Sequence, residues 1–185
     1  MRVIVGITGA SGIILAQRLL EELKAIGVET HLIMSPGAVK VAGCEECLDI
    51  DSIKGLASFV HEDSDMGSNL ASSSFIIDAM IVVPCSMKSL SSIATGHSGT
   101  LIARAADNVL KMGWKLIVVP RDTPLSLPAI ENMRKVKLAG GLILPPNLAY
   151  YNKPKTIGDA TDFIVGKMLD LLSLKNSLYA RWDGK

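Results

Sequence analysis

Short, continuous apolar runs punctuate the chain at Val3 to Ile7, Thr30 to Met34, Met80 to Pro84, Leu116 to Pro120 and Leu142 to Pro145. A strand with one wet face alternates apolar and polar residues, whereas a strand covered on both faces does not. The runs therefore predict five buried strands. Between them the apolar positions switch to helical spacing. Ile14, Leu15, Leu19, Leu23 and Ile26 form one stripe, Leu101, Ala105, Val109 and Met112 a second, and Ala160, Phe163, Ile164, Met168, Leu171 and Leu172 a third. Thr156, with Asp159 three residues on, predicts a capped start for the last helix. Strand and helix in regular alternation predict an α/β fold, a doubly wound parallel sheet with right-handed crossovers between two helical layers. The polar stretch from His61 to Ser74 reads as a surface connection. At more than about 12 residues it is long enough to be a functional segment, and it leads into the third predicted strand. No repeat, low-complexity tract or linker interrupts the pattern, so residues 1–185 are expected to form a single domain with a C-terminal tail from about 174.

Composition narrows the class. A chain of 185 residues buries about 70% of the surface its unfolded form exposes, enough for a core without disulfides or a structural metal. With 19 Lys+Arg against 18 Asp+Glu, the balance argues against general nucleic-acid binding, which needs a basic surface to displace counterions. Local clusters of cations remain compatible with it. No stretch of about 18 apolar residues is present to span a bilayer. Gly6, Thr8, Gly9, Ser11 and Gly12 break the apolar N-terminus, so no signal peptide is expected and a cytoplasmic location follows. A mean hydropathy of +0.36 is high for such a chain and suggests apolar surface covered by other subunits. The three cysteines, Cys44, Cys47 and Cys85, suit a reducing compartment. Cys44-Glu45-Glu46-Cys47 has redox-motif spacing, but its acidic residues would raise the thiol pKa values and no second ligand pair follows. A helix end with incidental cysteines is the simpler reading.

In open parallel sheets, ligands gather beyond the carboxyl ends of the strands. After the first run comes Gly6-Ile7-Thr8-Gly9-Ala10-Ser11-Gly12, where glycines permit close backbone approach and the next helix offers N–H groups to an anion. Its spacing is not the dinucleotide fingerprint, and an ordinary strand-to-helix turn would look similar. Ser35-Pro36-Gly37 after the second run reads as a helix cap. Ser86, Met87, Lys88 and Ser89 after the third offer hydroxyls and a cation to a phosphate, although a cap needs only one of them. Arg121 and Asp122 after the fourth make either a phosphate ligand or a local ion pair. Arg104 and Lys111 lie seven apart on one helix face, which a solvated face also explains. Lys167 sits inside an apolar stripe, where a charge must snorkel or meet an anion. Tyr150 and Tyr151 follow the fifth run. His31, His61 and His97 stand isolated in sequence, with His31 expected in a strand, and neither a metal-ligand pair, a hydrolase elbow nor a triphosphate loop occurs.

Together the motifs resemble the flavin prenyltransferases of the UbiX type. The matching segments are Thr8-Gly9-Ala10-Ser11-Gly12, Pro84-Cys85-Ser86, Ser89-Leu90-Ser91, Ile93-Ala94-Thr95-Gly96, Arg104-Ala105-Ala106-Asp107, Leu110-Lys111, Val118-Val119-Pro120-Arg121, Thr123-Pro124-Leu125 and Glu131-Asn132-Met133, in order along nearly the whole chain. The resemblance implies a flavodoxin-like, Rossmann-like three-layer sandwich assembled as a homododecamer of trimers, with sites at subunit interfaces. It implies transfer of a dimethylallyl group from dimethylallyl monophosphate to reduced FMN, without a metal. The product, prenylated FMN, is the cofactor of UbiD-type decarboxylases. By position, Gly9, Ala10, Ser11, Ser35, Ser86, Met87, Lys88, Ser89 and Arg121 correspond to the FMN-binding set. Arg104, Lys111, Arg121, Tyr151 and Lys167 correspond to the prenyl-phosphate set, with Ser11, Asp122, Lys111 and Arg104 as catalytic candidates.

The chain departs from the family pattern at several places. Asp122 stands where relatives have glutamate, Lys167 where some have arginine, Met66 near a frequent aromatic, and Gly99-Thr100 where Asp/Asn is common. Two other readings stay open at this level. An FMN-dependent cysteine decarboxylase would be expected to show an active-site histidine and a Pro-Ala-Ser-Ala-Asn-Thr-like segment, of which Ala71-Ser72-Ser73-Ser74 is a faint echo. A non-catalytic FMN carrier would need the flavin loops but not Arg104, Lys111 and Lys167.

Overall fold

Four of the five predicted apolar runs lie wholly on strands in the computed structural model, which describes residues 1–45 and 48–184, while the run from Leu142 to Pro145 is a strand only at half-buried Leu142–Ile143. A sixth strand joins them. In chain order they are β1 (Arg2–Ile7), β2 (Glu29–Met34), β3 (Phe59–Glu62), β4 (Ala79–Cys85), β5 (Lys115–Pro120) and β6 (Leu142–Ile143). Every pairing is parallel, and the sheet order is β3-β2-β1-β4-β5-β6. The helices among the described residues are α1 (Ile13–Ala25), α2 (Pro36–Ala42), α3 (Ile50–Leu56), α4 (Met87–Thr95), α5 (Leu101–Lys111), α6 (Leu127–Leu138) and α7 (Ile157–Leu171). None is long and apolar enough to cross a membrane.

Strand periodicity separates two cores. Val3, Val5, Ile7, Ile81, Val83, Ile117 and Val119 pack with α1 and α7 on one face. Ile4, Ile33, Met80, Val82, Leu116 and Val118 pack with α4 and α5 on the other. Burial on both faces is why the runs do not alternate, and each fully buried Ile or Leu contributes about 1.5–3 kcal/mol. The capped start of α7 forms as expected: Thr156 Oγ1 accepts the Asp159 N–H at 3.1 Å while the Asp159 carboxylate accepts the Thr156 N–H at 3.0 Å.

β3 escaped the hydrophobic pattern because it is an edge strand. Phe59 and Val60 are 53% and 43% exposed. Its presence corrects the reading of His61 to Ser74, since His61 and Glu62 are strand residues; the polar surface segment starts only at Asp63. That segment is anchored. The buried Asp63 accepts the Ile102 N–H on its carboxylate at 2.9 Å and the Leu101 N–H on its carbonyl. Strand order reverses direction between β1 and β4, the switch point at which ligands bind in such sheets.

β3 also corrects the view of isolated histidines. His31 lies in β2 as expected, but the β2–β3 register brings its Nδ1 to 3.0 Å from His61 Nε2. His31 Nε2 lies 3.0 Å from a Glu29 carboxylate oxygen, and Ser68 Oγ 3.1 Å from His61 Nδ1. Burial, then the neighbouring His31, lower the His61 pKa below 6.5. The folded state thus favours neutral His61. Its stabilising contribution is full above the unfolded value and is lost as pH falls through the lower folded one. Denaturant titrations from about pH 7 to about pH 5 should show falling stability, with a shallower fall in His61→Asn; an identical slope in both proteins would contradict this assignment.

Candidate ligand site at the carboxyl edge of the sheet

The site begins at a buried hydroxyl. Thr8 Oγ1 donates to the Pro84 carbonyl at 2.8 Å and accepts the Ser86 N–H at 2.7 Å, stapling the loop after β1 to the end of β4. Replacing Thr8 with valine leaves the part-buried Ser86 N–H without its partner. The variant should lose about 1–3 kcal/mol of unfolding free energy, measurable by denaturant titration. The second loop is fixed to the first in another way. The Ser35 N–H donates to the Ile7 carbonyl at 3.0 Å, and Gly9 lies against Gly37 so closely that a Cβ on Gly9 would stand 3.0 Å from Gly37 Cα and carbonyl carbon. Only two glycines permit that approach.

The hydroxyls then set the helix starts. Ser35 Oγ accepts the Ala38 N–H at the start of α2, and Ser86 Oγ accepts the Ser89 N–H at the start of α4. Ser86 and Ser89 hydroxyls are 3.2 Å apart. These loops enclose a cavity of about 520 Å³ whose wall includes Gly9, Ser35, Gly37, Asp63, Ser86, Lys88, Ser89, Thr100 and Ile102. Small-molecule and cofactor sites run from about 300 to 1,000 Å³. Uncovered glycine backbone, clustered hydroxyls and a lysine suit a flat ring system carrying a phosphate.

Five residues of the expected FMN set, Gly9, Ser35, Ser86, Lys88 and Ser89, line this cavity together. Ala10 and Ser11 continue the Gly9 loop. The Met87 side chain packs on the second core instead. Arg121 and Asp122 line a second cleft of about 200 Å³, which shares no wall residue with the first; an Arg121 N–H bond to the Cys85 carbonyl ties it to the end of β4. Asp122 accepts the Thr123 N–H at 3.0 Å and forms no ion pair with Arg121.

The expected prenyl-phosphate set is not gathered within one chain. Arg104 donates to the Ala71 carbonyl at 3.1 Å and lies 3.6 Å from Asp107. Lys111 ends α5, about 15 Å along the axis from the cavity end of that helix at 1.5 Å per residue. Tyr151 and Lys167 meet elsewhere, each against Phe163.

Two acidic residues at the site went unrecognised in the sequence. Glu45 places its carboxylate on the Gly12 and Ile13 N–H groups, at 2.6 and 3.1 Å. It occupies the α1 terminus that the sequence had offered to an incoming anion. Asp63 lines the cavity while capping α5. In the sequence Glu45 stands out only by its flanking thiols. Cys44 is exposed, Cys47 lies outside the described residues, and burial pushes the Cys85 thiol up out of reactive range. No histidine lines the cavity, and no group of three or more His, Cys, Asp or Glu is placed to hold a metal among the described residues.

A switch-point cavity walled by hydroxyls, glycine backbone and lysine defines a nucleotide- or flavin-binding α/β protein. The family model described as Flavoprotein matches residues 1–169. The chain is 48% identical over 182 residues to flavin prenyltransferase UbiX of Methanocaldococcus jannaschii, covering 98% of each. It is similar to the crystal structure of AnUbiX (PadA1) in complex with FMN and dimethylallyl pyrophosphate, at 42% identity and TM-score 0.97, covering 100% of this chain and 98% of that one. The dodecameric FMN-dependent UbiX-like decarboxylase from Escherichia coli O157:H7 superposes equally well, at 42% identity and TM-score 0.97 with 100% of both chains covered. The chain belongs to the flavoprotein family and, within it, to the flavin prenyltransferases of the UbiX type. The peptidyl-cysteine decarboxylase EpiD, 17% identical with a TM-score of 0.64 over 80% of this chain and 82% of its own, shares the fold alone.

Proposed function

We propose that the chain joins a dimethylallyl group from dimethylallyl monophosphate to reduced FMN, making the prenylated FMN that a UbiD-type decarboxylase uses. The observation that carries the reading is the convergence of Gly9, Ser35, Ser86, Lys88 and Ser89 on one cavity in a chain with full-length prenyltransferase relatives. Those residues, with Ala10, Ser11, the Met87 backbone and Arg121, hold FMN. When bound, reduced FMN supplies an electron-rich ring as nucleophile. The protein orients it and stabilises charge.

Arg104, Lys111, Arg121, Tyr151 and Lys167 bind the prenyl phosphate. Their charge stabilises the phosphate leaving the allylic carbon, in a pocket closed to water. Ser11 and Asp122 move protons at the ring. Glu45, held one residue from Ser11 by the Gly12 N–H, is a third candidate for that task. Because α5, with Arg104 and Lys111, packs on one face of the sheet and α7, with Lys167, on the other, neighbouring subunits complete each site. We therefore take the assembly to be a homododecamer, as in the Escherichia coli relative, of one cytoplasmic FMN-binding domain spanning 1–185 with a tail from about 174. The absence of a cavity histidine weighs against cysteine decarboxylation, and the additional cations weigh against a carrier.

The reading is tested by release of inorganic phosphate from dimethylallyl monophosphate under anaerobic conditions. Release that requires reduced FMN, with a flavin product that activates an apo-decarboxylase of the UbiD type, is expected. Phosphate release indifferent to FMN would contradict it.

A further inference from the structure

The C-terminal tail folds back on α7, into a seat shaped for one side chain. A Cβ on Gly166 would stand 2.5 Å from Tyr179 Cδ1 and 2.8 Å from Cε1, so the Tyr179 ring occupies the notch that this glycine leaves. One turn further along α7, Asp170 accepts the Tyr179 hydroxyl at 2.5 Å. The same carboxylate takes Arg181 in a fork at 2.7 and 3.1 Å and the Asn176 amide at 2.9 Å. These contacts hold the Asp170 carboxyl at about 2, Arg181 contributing most. The tail is therefore pinned at neutral pH.

What the pinned ring touches is Lys167. Its Nζ lies 4.8 Å from the Tyr179 ring centroid and 5.5 Å from that of Phe163, and the two rings meet edge to face at 5.1 Å. Contact with Tyr179 keeps the ammonium above its ordinary pKa despite partial burial. A lysine is a flexible point charge, whereas an arginine carries its own preorganised fork. A ring fixed beneath the ammonium restricts the stem and leaves the charge available to an anion.

We propose that Tyr179 is a positioning residue for the prenyl donor: its ring and Asp170-bound hydroxyl hold the Lys167 ammonium in place for the donor phosphate. The inference rests on the reading of Lys167 as a donor-phosphate ligand. It assigns to a tail residue the order that lysine lacks by itself.

The test is steady-state transfer at saturating reduced FMN with dimethylallyl monophosphate varied. Tyr179→Leu should lower kcat/KM for the donor about tenfold, through a higher KM and a lower kcat, with FMN affinity nearly unchanged. Tyr179→Phe, which keeps the ring and the fold, should give a smaller loss, matched by Asp170→Asn. Adding Lys167→Arg to Tyr179→Leu should restore kcat/KM, because a guanidinium needs no bed. An unchanged donor kcat/KM in Tyr179→Leu alongside active wild-type protein would overturn this proposal alone. So would a parallel loss of FMN affinity, or failure of Lys167→Arg to rescue. A wild-type protein that transfers no prenyl group would instead overturn the functional reading beneath it.

Discussion

Lys167→Ala is expected to lower kcat/KM for prenyl transfer by about 10² to 10³, with the FMN dissociation constant nearly unchanged. The effect is electrostatic. As the allylic carbon–oxygen bond breaks, negative charge collects on the departing phosphate, so a cation placed there binds the transition state more strongly than the ground state. The Lys167 ammonium is seated between the Phe163 and Tyr179 rings and is not among the residues that line the FMN cavity. Lys111→Ala is expected to behave alike, since Lys111 sits at the end of α5 away from that cavity. Single-turnover rates and an FMN titration on each variant separate the two effects. Equal loss of transfer and of FMN binding would contradict the division into two binding sets.

Gly9→Val is expected to do the reverse, striking FMN binding first. A Cβ at position 9 would meet Gly37 backbone atoms at 3.0 Å, and backbone cannot swing aside as a long side chain can. Relief requires the loops after β1 and β2 to part. Overpacking of this kind costs about 1–3 kcal/mol, and if the cavity bears it, FMN affinity falls by about 10- to 100-fold. Fluorescence titration of FMN reads the change directly. Wild-type affinity in Gly9→Val would show that the glycine contact does not shape the site.

How much of this was legible in the sequence depended on whether the signal was local. β1, β2, β4 and β5 announced themselves because burial on both faces leaves almost no polar position in the run, Thr30 and His31 of β2 being the buried exceptions. Ser35, Ser86 and Thr156 each cap a helix start beside them, so their roles follow from spacing alone. β3 stayed hidden, because an edge strand with exposed Phe59 and Val60 carries too little apolar pattern. The His31–His61 contact was hidden with it, since it exists only through the register of β3 on β2. Glu45 bridges to Gly12 across 33 residues, a distance at which no spacing rule operates. The cations were recognisable one by one, yet their separation on Arg104, Lys111, Arg121 and Lys167 emerged only from the fold. High mean hydropathy with a near-zero net charge is what the proposed assembly requires, apolar faces covered by other subunits and cations concentrated in a few places.

The central claim is that this chain alkylates the flavin itself. Anaerobic incubation of the protein with reduced FMN and dimethylallyl monophosphate, followed by mass and absorption spectra of the released flavin, tests it most directly. The account predicts a flavin heavier by one dimethylallyl unit, with an altered spectrum. Recovery of unmodified FMN, under conditions in which both ligands are shown to bind, would contradict it.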